Sequence, residues 1–191
     1  VLVRAQTVRW RLTIGASKPE QLWGMVHVTD AEVDAYLQNG FVPPNYLPTQ
    51  LVNSLKDYWH EATLLERNIR RRIEATPESV TLRLGRLASV CNLSNHQRDV
   101  ILVCLLPELD GRYRRLFGYL QDDVSRINPT VELLLQILFP IFGDLEVGRS
   151  CFESESPLIK QHLIAVSGDD SLPMSSVRVD PHVADYLLGS D

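Results

Sequence analysis

Histidine and cysteine are the side chains that most often build metal sites and nucleophiles, and the histidines of this sequence stand far apart. They are five isolated residues: His27, His60, His96, His162 and His182. His60-Glu61 lacks the second histidine of an HExxH zinc site, and neither a CxxC pair nor a GxSxG nucleophile elbow occurs. We interpret the histidines as surface or capping residues. The sequence predicts no catalytic residue and no metal site.

The cysteines are too few and too widely spaced for a disulfide framework. There are three of them: Cys91, Cys104 and Cys151. An odd number with this spacing indicates reduced thiols, and their apolar neighbours predict small buried side chains rather than nucleophiles.

Nucleotide chemistry needs a phosphate-cradling loop and a magnesium-holding aspartate, and neither pattern is present. The sequence contains no GxxxxGK[ST] motif. The apolar run 100–106 imitates a magnesium-binding strand, but Pro107 stands where the aspartate is needed. The pairs Asp122-Asp123 and Asp169-Asp170 are interpreted as solvated, because adjacent carboxylates point to different faces of a helix and turns favour aspartate. We expect no enzyme activity and no cofactor in this chain.

Arginines form the remaining candidate site, a cluster made of Arg67, Arg70, Arg71 and Arg72. On a helix the first three share a face that could grip phosphate. The interpretation that we prefer is a solvated face that pairs with Glu66 and Glu74. A second group, Arg112, Arg114 and Arg115, lies among aromatic residues, but the aromatic spacing matches a core stripe better than a single-strand binding surface.

Charge is divided unevenly along the 191 residues. Of the 19 basic and 24 acidic side chains, residues 1–92 hold eleven and nine, and residues 93–191 hold eight and fifteen. The second half therefore carries net −7 and repels a polyanion over most of its surface. The sequence argues against nucleic acid as a partner.

Location and completeness follow from the ends and from the apolar runs. No run is long enough to cross a bilayer, and arginines interrupt the N-terminal VLVRAQTVRWRL where a signal peptide needs an apolar stretch. We expect a cytoplasmic protein without a membrane contact. The start at Val1 and the stop at Asp191, directly after an amphipathic segment, predict a part of a longer protein.

The first half of the sequence predicts a helical scaffold over residues 1–92. Residues 1–14 indicate a helix, Thr29 and Glu32 form a capping box for a helix ending at Gly40, and PPNYLP (43–48) is a break. A helix of about seven turns follows, with one apolar stripe from Leu51 to Ile73. Thr76-Pro77 is predicted to open the next helix. Three apolar residues of that helix are expected to face inward: Leu82, Leu87 and Val90.

The second half predicts a winged-helix-like unit over residues 93–191. A capping box at Ser94 and Gln97 opens a helix over 95–106 that ends at Pro107, and Asp110 caps a helix over 111–121. Asn128-Pro129 opens a helix over 129–138, and Ser156-Pro157 starts one more turn. A hairpin over about 162–179 and a final helix capped by Asp180-Pro181 complete the order. The predicted fold class is mainly α: the helical N-terminal scaffold, then three helices and a β-hairpin.

The helix predicted at 129–138 is poorly suited to reading DNA. It contains no basic residue and six large apolar ones: Val131, Leu133, Leu134, Leu135, Ile137 and Leu138. Six exceed the needs of one buried stripe, so some are expected to meet the N-terminal helices or another protein.

The stretch LSNHQRDVILVCLLPELDGRYRRLFGYLQDDVSRINPTVELLLQIL (93–138) resembles the N-terminal region of a family of bacterial AAA+ ATPases, in which PELD, RY, YLQDDV and PTV recur in this order. WGMVHVTDAEVDAYL, which ends at Leu37, and VRVDPHVADYLLGSD (177–191) resemble the flanking parts of that region. Some members of the family are encoded alongside contractile injection systems. The resemblance implies a parent protein with Walker motifs downstream of Asp191, binding ATP and Mg there, and a ring of identical subunits is one assembly that it suggests. None of the family's catalytic residues falls within these positions.

The sequence leaves two functions open. The first is a non-catalytic accessory domain of an AAA+ ATPase, which binds other proteins or the downstream ATPase module and regulates or assembles the parent. The alternative is a DNA-binding winged helix that tethers the ATPase to nucleic acid.

Overall fold

A computed structural model describes residues 49–77, 79–139, 145–168 and 171–190, with side chains from His60 onward. The helices predicted over residues 1–14 and 29–40 and the pair Asp169-Asp170 lie outside these ranges. No helix within them is both long and apolar enough to span a lipid bilayer.

The predicted long helix is confirmed: helix α1 spans Thr49–Glu74, 26 residues. The helix predicted to open at Thr76-Pro77 begins later, because the Thr76 hydroxyl donates to the Arg72 carbonyl oxygen (2.7 Å) and closes α1 instead. Helix α2 spans Arg83–Val90. Its inward face was predicted only in part. Leu87 packs against the core, but Leu82 is exposed and Val90 is 77% exposed.

The predicted order of three helices and a hairpin is confirmed. Helices α3, α4 and α5 span Asn95–Leu109, Arg112–Leu120 and Val131–Leu138. Two short helices follow, α6 (Leu145–Ser150) and α7 (Pro157–Lys160), of which only α7 was predicted. Strands β1 (Ile164–Ser167) and β2 (Ser176–Val179) flank a 3-10 turn (Leu172–Met174), and α8 (Pro181–Leu188) follows.

Local capping begins α3 as predicted, but the helix ends later. Ser94 Oγ accepts from the Gln97 amide (3.2 Å), and Gln97 Oε1 accepts from the Ser94 amide (2.9 Å). The predicted end at Pro107 is wrong, because α3 continues to Leu109. A proline in the last turn removes only its own amide bond, and the Asp110 amide still donates to the Leu106 carbonyl oxygen (3.0 Å).

A third segment, around Thr130, pairs with the two-stranded sheet, and the sequence did not predict it. Strands β1 and β2 pair antiparallel, and Thr130 forms an isolated bridge to Ser176. The Val177 amide also donates to the Pro129 carbonyl oxygen (2.8 Å). Asn128-Pro129 therefore does not open α5. Thr130 does so, because its Oγ1 accepts from the Leu133 amide (3.3 Å).

One apolar core joins α3, α5 and the hairpin, and its fully buried side chains include Phe117, Ile101, Leu134, Ile137, Leu158 and Val177. Helix α2 lies against α8, where Arg83 Nη1 donates to the Tyr186 carbonyl oxygen (2.6 Å). The division into domains at residue 92 stays a prediction, and this contact crosses it. We call residues 83–190 the winged-helix body.

Candidate interaction surfaces

Most of helix α5 is buried in the winged-helix body. Five of its eight residues are buried: Val131, Leu133, Leu134, Ile137 and Leu138. It packs on α3, on α6 and on the 3-10 turn of the hairpin. These neighbours belong to the second half of the chain, and the expectation that its extra apolar residues meet the N-terminal helices or another protein stays a prediction. Leu135, for example, lies against Gly148 of α6, where a Cβ would stand 2.6 Å from its Cδ2 atom.

The helix directly before the hairpin is α7, and it offers little positive charge. Its one cation, Lys160, pairs with Glu155. Between the described parts of the strands the turn presents Leu172, Pro173 and Met174, and in β2 only Arg178 is basic. A phosphate backbone would meet two cations on these elements, one of which is already paired with a carboxylate.

Gln121 fixes the loop over residues 121–128, which connects α4 to Thr130, the residue that pairs with β2. Its Nε2 faces the carbonyl oxygens of Phe117, Arg126 and Asn128 at 3.0 to 3.2 Å. Its Oε1 accepts from the Thr130 amide (2.8 Å). One side chain thus satisfies backbone groups of α4, of the loop and of Thr130 beside β2. This role is not predictable from the local sequence pattern, because the partners of Gln121 lie up to nine residues away.

Asp123 tightens the same loop. Its carboxylate accepts from the amide and hydroxyl of Ser125 (2.9 and 2.6 Å) and pairs with Arg126 at 3.1 Å. These hydrogen bonds, followed by the arginine charge, hold the pKa of Asp123 below its usual range. Asp122 is exposed and adopts a left-handed backbone (φ 51°), which aspartate tolerates. The two carboxylates therefore serve different local needs, and no group of three metal-ligating side chains occurs among the described residues.

Exposed apolar side chains lie on this fixed loop and on the helix before it. A Cβ on Gly118 would stand 3.1 Å from the Cα of Val124, so the glycine lets the loop lie directly on α4. Val124 nevertheless points outward and is 83% exposed. Tyr119 and Ile127, in α4 and in the same loop, are also exposed. We call these three side chains the loop patch.

The basic and aromatic residues of α4 are divided between surface pairs and the core. Arg112 pairs with Asp110 (2.5 Å), and its hydrogen bonds lower the pKa of that carboxyl. Arg114 donates to the Pro107 carbonyl oxygen (3.1 Å). Phe117 is fully buried, as predicted for a core stripe, whereas Tyr119 is not. Two of the three arginines are therefore engaged within the body.

The arginine cluster of α1 is exposed, as predicted, but its predicted pairing is not seen. Within the described residues no ion pair joins Arg67, Arg70, Arg71 or Arg72 to a carboxylate, including those of Glu66 and Glu74. The apolar stripe of the same helix is exposed too, with Leu65 at 55% and Ile69 at 56%. Both faces of α1 are open to a partner in this part of the chain.

The cysteines are buried free thiols, as predicted. Burial raises the pKa of Cys151 to about 11, and it raises the pKa of the Cys104 thiol far above its usual range. Both shifts favour the protonated thiol at neutral pH, which disfavours a nucleophilic role. Of the histidines, His27 lies outside the described residues and the other four are exposed, with the His96 ring 5.1 Å from that of Phe139.

The comparison with protein families agrees with this architecture. The family described as "Winged helix domain, variant" matches residues 29–191. No curated protein and no solved structure matches the chain. The match covers most of the sequence and includes every element of the winged-helix body, so the chain belongs to the variant winged helix domain family.

Proposed function

We propose that the chain is a non-catalytic protein-interaction and regulatory domain of a larger AAA+ ATPase. The loop patch carries the interaction role. Gln121 and Asp123 fix the backbone of residues 121–128 while Val124 stays 83% exposed. An apolar side chain on a fixed loop binds a protein surface with little further loss of conformational entropy.

Protein is favoured over nucleic acid by the charges around the hairpin. Sequence-reading helices bring arginine, lysine, asparagine or glutamine to base edges and need cations beside them for phosphates. Here α5 is buried and the Lys160 charge of α7 is paired with Glu155. Arg178 alone cannot supply a phosphate-binding surface.

The AAA+ parent rests on the resemblance of residues 93–138, and two hydrogen bonds join parts of that phrase. Asp110 of PELD accepts from the Arg112 amide (2.9 Å), and Gln121 of YLQDDV accepts from the amide of Thr130 in PTV. In these two places the residues of the phrase hold neighbouring elements of the body together. ATP and magnesium would be bound by the parent's ATPase module.

A titration with random-sequence duplex DNA at low salt, followed by fluorescence anisotropy, tests the partner class, because electrostatic binding is strongest there. We expect no sub-micromolar affinity. Two matched variants, K160Q/R178Q and R70Q/R71Q, each remove two positive charges. Tight binding that is lost in the first variant and kept in the second would show a DNA-reading hairpin face and overturn the proposal.

Calorimetric titration with Mg-ATP tests the proposal that the parent's ATPase module, and not this chain, binds ATP. A phosphate site needs backbone amides at a helix N-terminus and a lysine after a glycine-rich turn, which this sequence lacks. We expect no low-micromolar binding by residues 1–191 and ATP hydrolysis by the parent that includes sequence after Asp191. Tight ATP binding by this chain alone would contradict the proposal.

A further inference from the structure

We propose that the apolar stripe of α1 is a dimerisation surface on which α1 of a second copy packs antiparallel. This inference rests on the proposed role in protein interaction and names one partner and one surface. Its observations come from α1 alone, and it does not depend on the loop patch.

The stripe has the spacing of a two-helix coiled coil. Ala62, Leu65, Ile69 and Ile73 follow one another at steps of three and four residues, and Leu65, Ile69 and Ile73 are each more than half exposed. In the sequence the same steps continue backwards to Leu51, Leu55 and Tyr58. The steps alternate between four and three from Leu51 to Ile69, and a second step of four then keeps Ile73 on the same side of the helix.

A helix of this length needs a partner for its seam. At 1.5 Å per residue the 26 residues of α1 extend about 39 Å. Helices gain most of their stability by packing an amphipathic face rather than from propensity. No packed pair of elements in the described part of the chain includes α1.

The charges that border the seam select a second copy in the opposite direction. Glu61 and Glu66 adjoin Ala62 and Leu65, whereas Arg70 and Arg72 adjoin Ile69 and Ile73. All four charged side chains are exposed. Parallel pairing would place carboxylate against carboxylate and guanidinium against guanidinium. Antiparallel pairing centred near Arg67, with residues 60–74 of the two helices overlapping, places the acidic part of each seam beside the basic part of the other.

The same border disfavours a polyanion on the seam. A nucleic acid or an anionic lipid surface would meet Glu61 and Glu66 beside the apolar residues. The remaining arginines, Arg67 and Arg71, lie about half a turn away from the seam and do not border it. They provide a matched control.

Sedimentation of the full 191-residue chain at low salt tests this arrangement. We expect a concentration-dependent dimer in the unmodified chain. The variants E61K/E66K and R70E/R72E each place like charges across the seam, and each is expected to weaken the dimer about ten- to a hundred-fold. An equimolar mixture of the two restores opposite charges in an antiparallel pair and is expected to recover a heterodimer.

The control variant R67E/R71E changes the net charge as R70E/R72E does, but on the far face of α1. We expect its dimer to be unchanged, and equal weakening by both variants would contradict the seam. A heterodimer of E61K/E66K with the unmodified chain would show parallel pairing and overturn the orientation. Protection of the buried cysteines from a thiol reagent shows whether the winged-helix body of each variant is folded.

A chain that stays monomeric at all concentrations overturns the inference. Protection of α1 from hydrogen exchange in that monomer would assign the seam to another part of the same chain. If no dimer forms, the role of the loop patch and the result of the duplex titration are unaffected. If the chain binds duplex DNA through Lys160 and Arg178, the proposed function is overturned even when the dimer forms. The two failures therefore have separate readouts.

Discussion

Helices α1 and α5 are both rich in apolar residues, and the structure uses them in opposite ways. Helix α5 has eight residues, five of them buried between α3, α6 and the hairpin turn. Helix α1 has 26 residues, and within its described side chains the apolar seam stays exposed. The apolar count alone suggested that α5 needed an external partner. Neighbours that are distant in sequence cover α5, and the helix with the regular seam is the one left open.

The largest expected effect comes from comparing a Leu→Ala substitution in α5 with the same substitution in α1. Leu134→Ala in α5 removes a fully buried side chain and should lower the free energy of unfolding of the winged-helix body by about 2–5 kcal/mol. Leu65→Ala in α1 should change it by less than about 0.5 kcal/mol. Thiol reactivity of the three buried cysteines across a urea gradient measures the body alone. Equal losses would mean that α1 is part of the body's cooperative unit.

The next effect compares two glutamines. Gln121→Ala leaves the Thr130 amide and two loop carbonyl oxygens without their partner, which should cost about 1–3 kcal/mol. Gln136→Ala, which removes only an exposed contact with Glu132 on α5, should be nearly neutral. Urea denaturation followed by circular dichroism gives both values. If the two variants were equally stable, the loop would not depend on Gln121 for its position.

A helix cap gives a smaller effect. Ser94→Ala removes the acceptor for the Gln97 amide at the start of α3 and should cost about 1 kcal/mol. Ser190→Ala, at an exposed position after α8, should cost almost nothing. Thermal and chemical denaturation of both variants measure the difference. The result that counts against the cap is an unchanged midpoint for Ser94→Ala.

The smallest effect is a pH dependence of the loop over residues 121–128. The folded-state pKa of Asp123 is lowered by its bonds to Ser125 and Arg126, so its contribution to stability is present above the unfolded pKa, about 3.9. It is lost as the pH falls through the folded pKa. Asp123→Asn should therefore be less stable than the unmodified chain at pH 7, with the gap closing in acid.

Asp122→Asn is the control for this dependence, because asparagine also tolerates the left-handed backbone at that position. We expect no comparable pH-dependent gap for it. Urea midpoints measured between pH 7 and pH 3 give both curves. A gap for Asp123→Asn that is constant with pH would assign the role of this residue to its shape rather than to its charge.

Features whose partners lie within one helical turn were predictable from the sequence alone. The cap of α3 at Ser94, the caps at Ser156 and Asp180, and the length of α1 all depend on residues at most four positions apart. The hydrogen bonds that form them are local, so the amino-acid sequence shows their pattern directly. The order of helices and hairpin follows from the same signals.

Only the tertiary structure decided which apolar face is covered and which loop is fixed. The bridge from Thr130 to Ser176 spans 46 residues, and the closeness of Gly148 to Leu135 depends on how α6 folds back on α5. Contacts of this kind arise from the packing of whole elements, and the residues involved carry no local mark of their partners. For the same reason the sequence of α1 showed a seam without showing that no described element packs extensively against it.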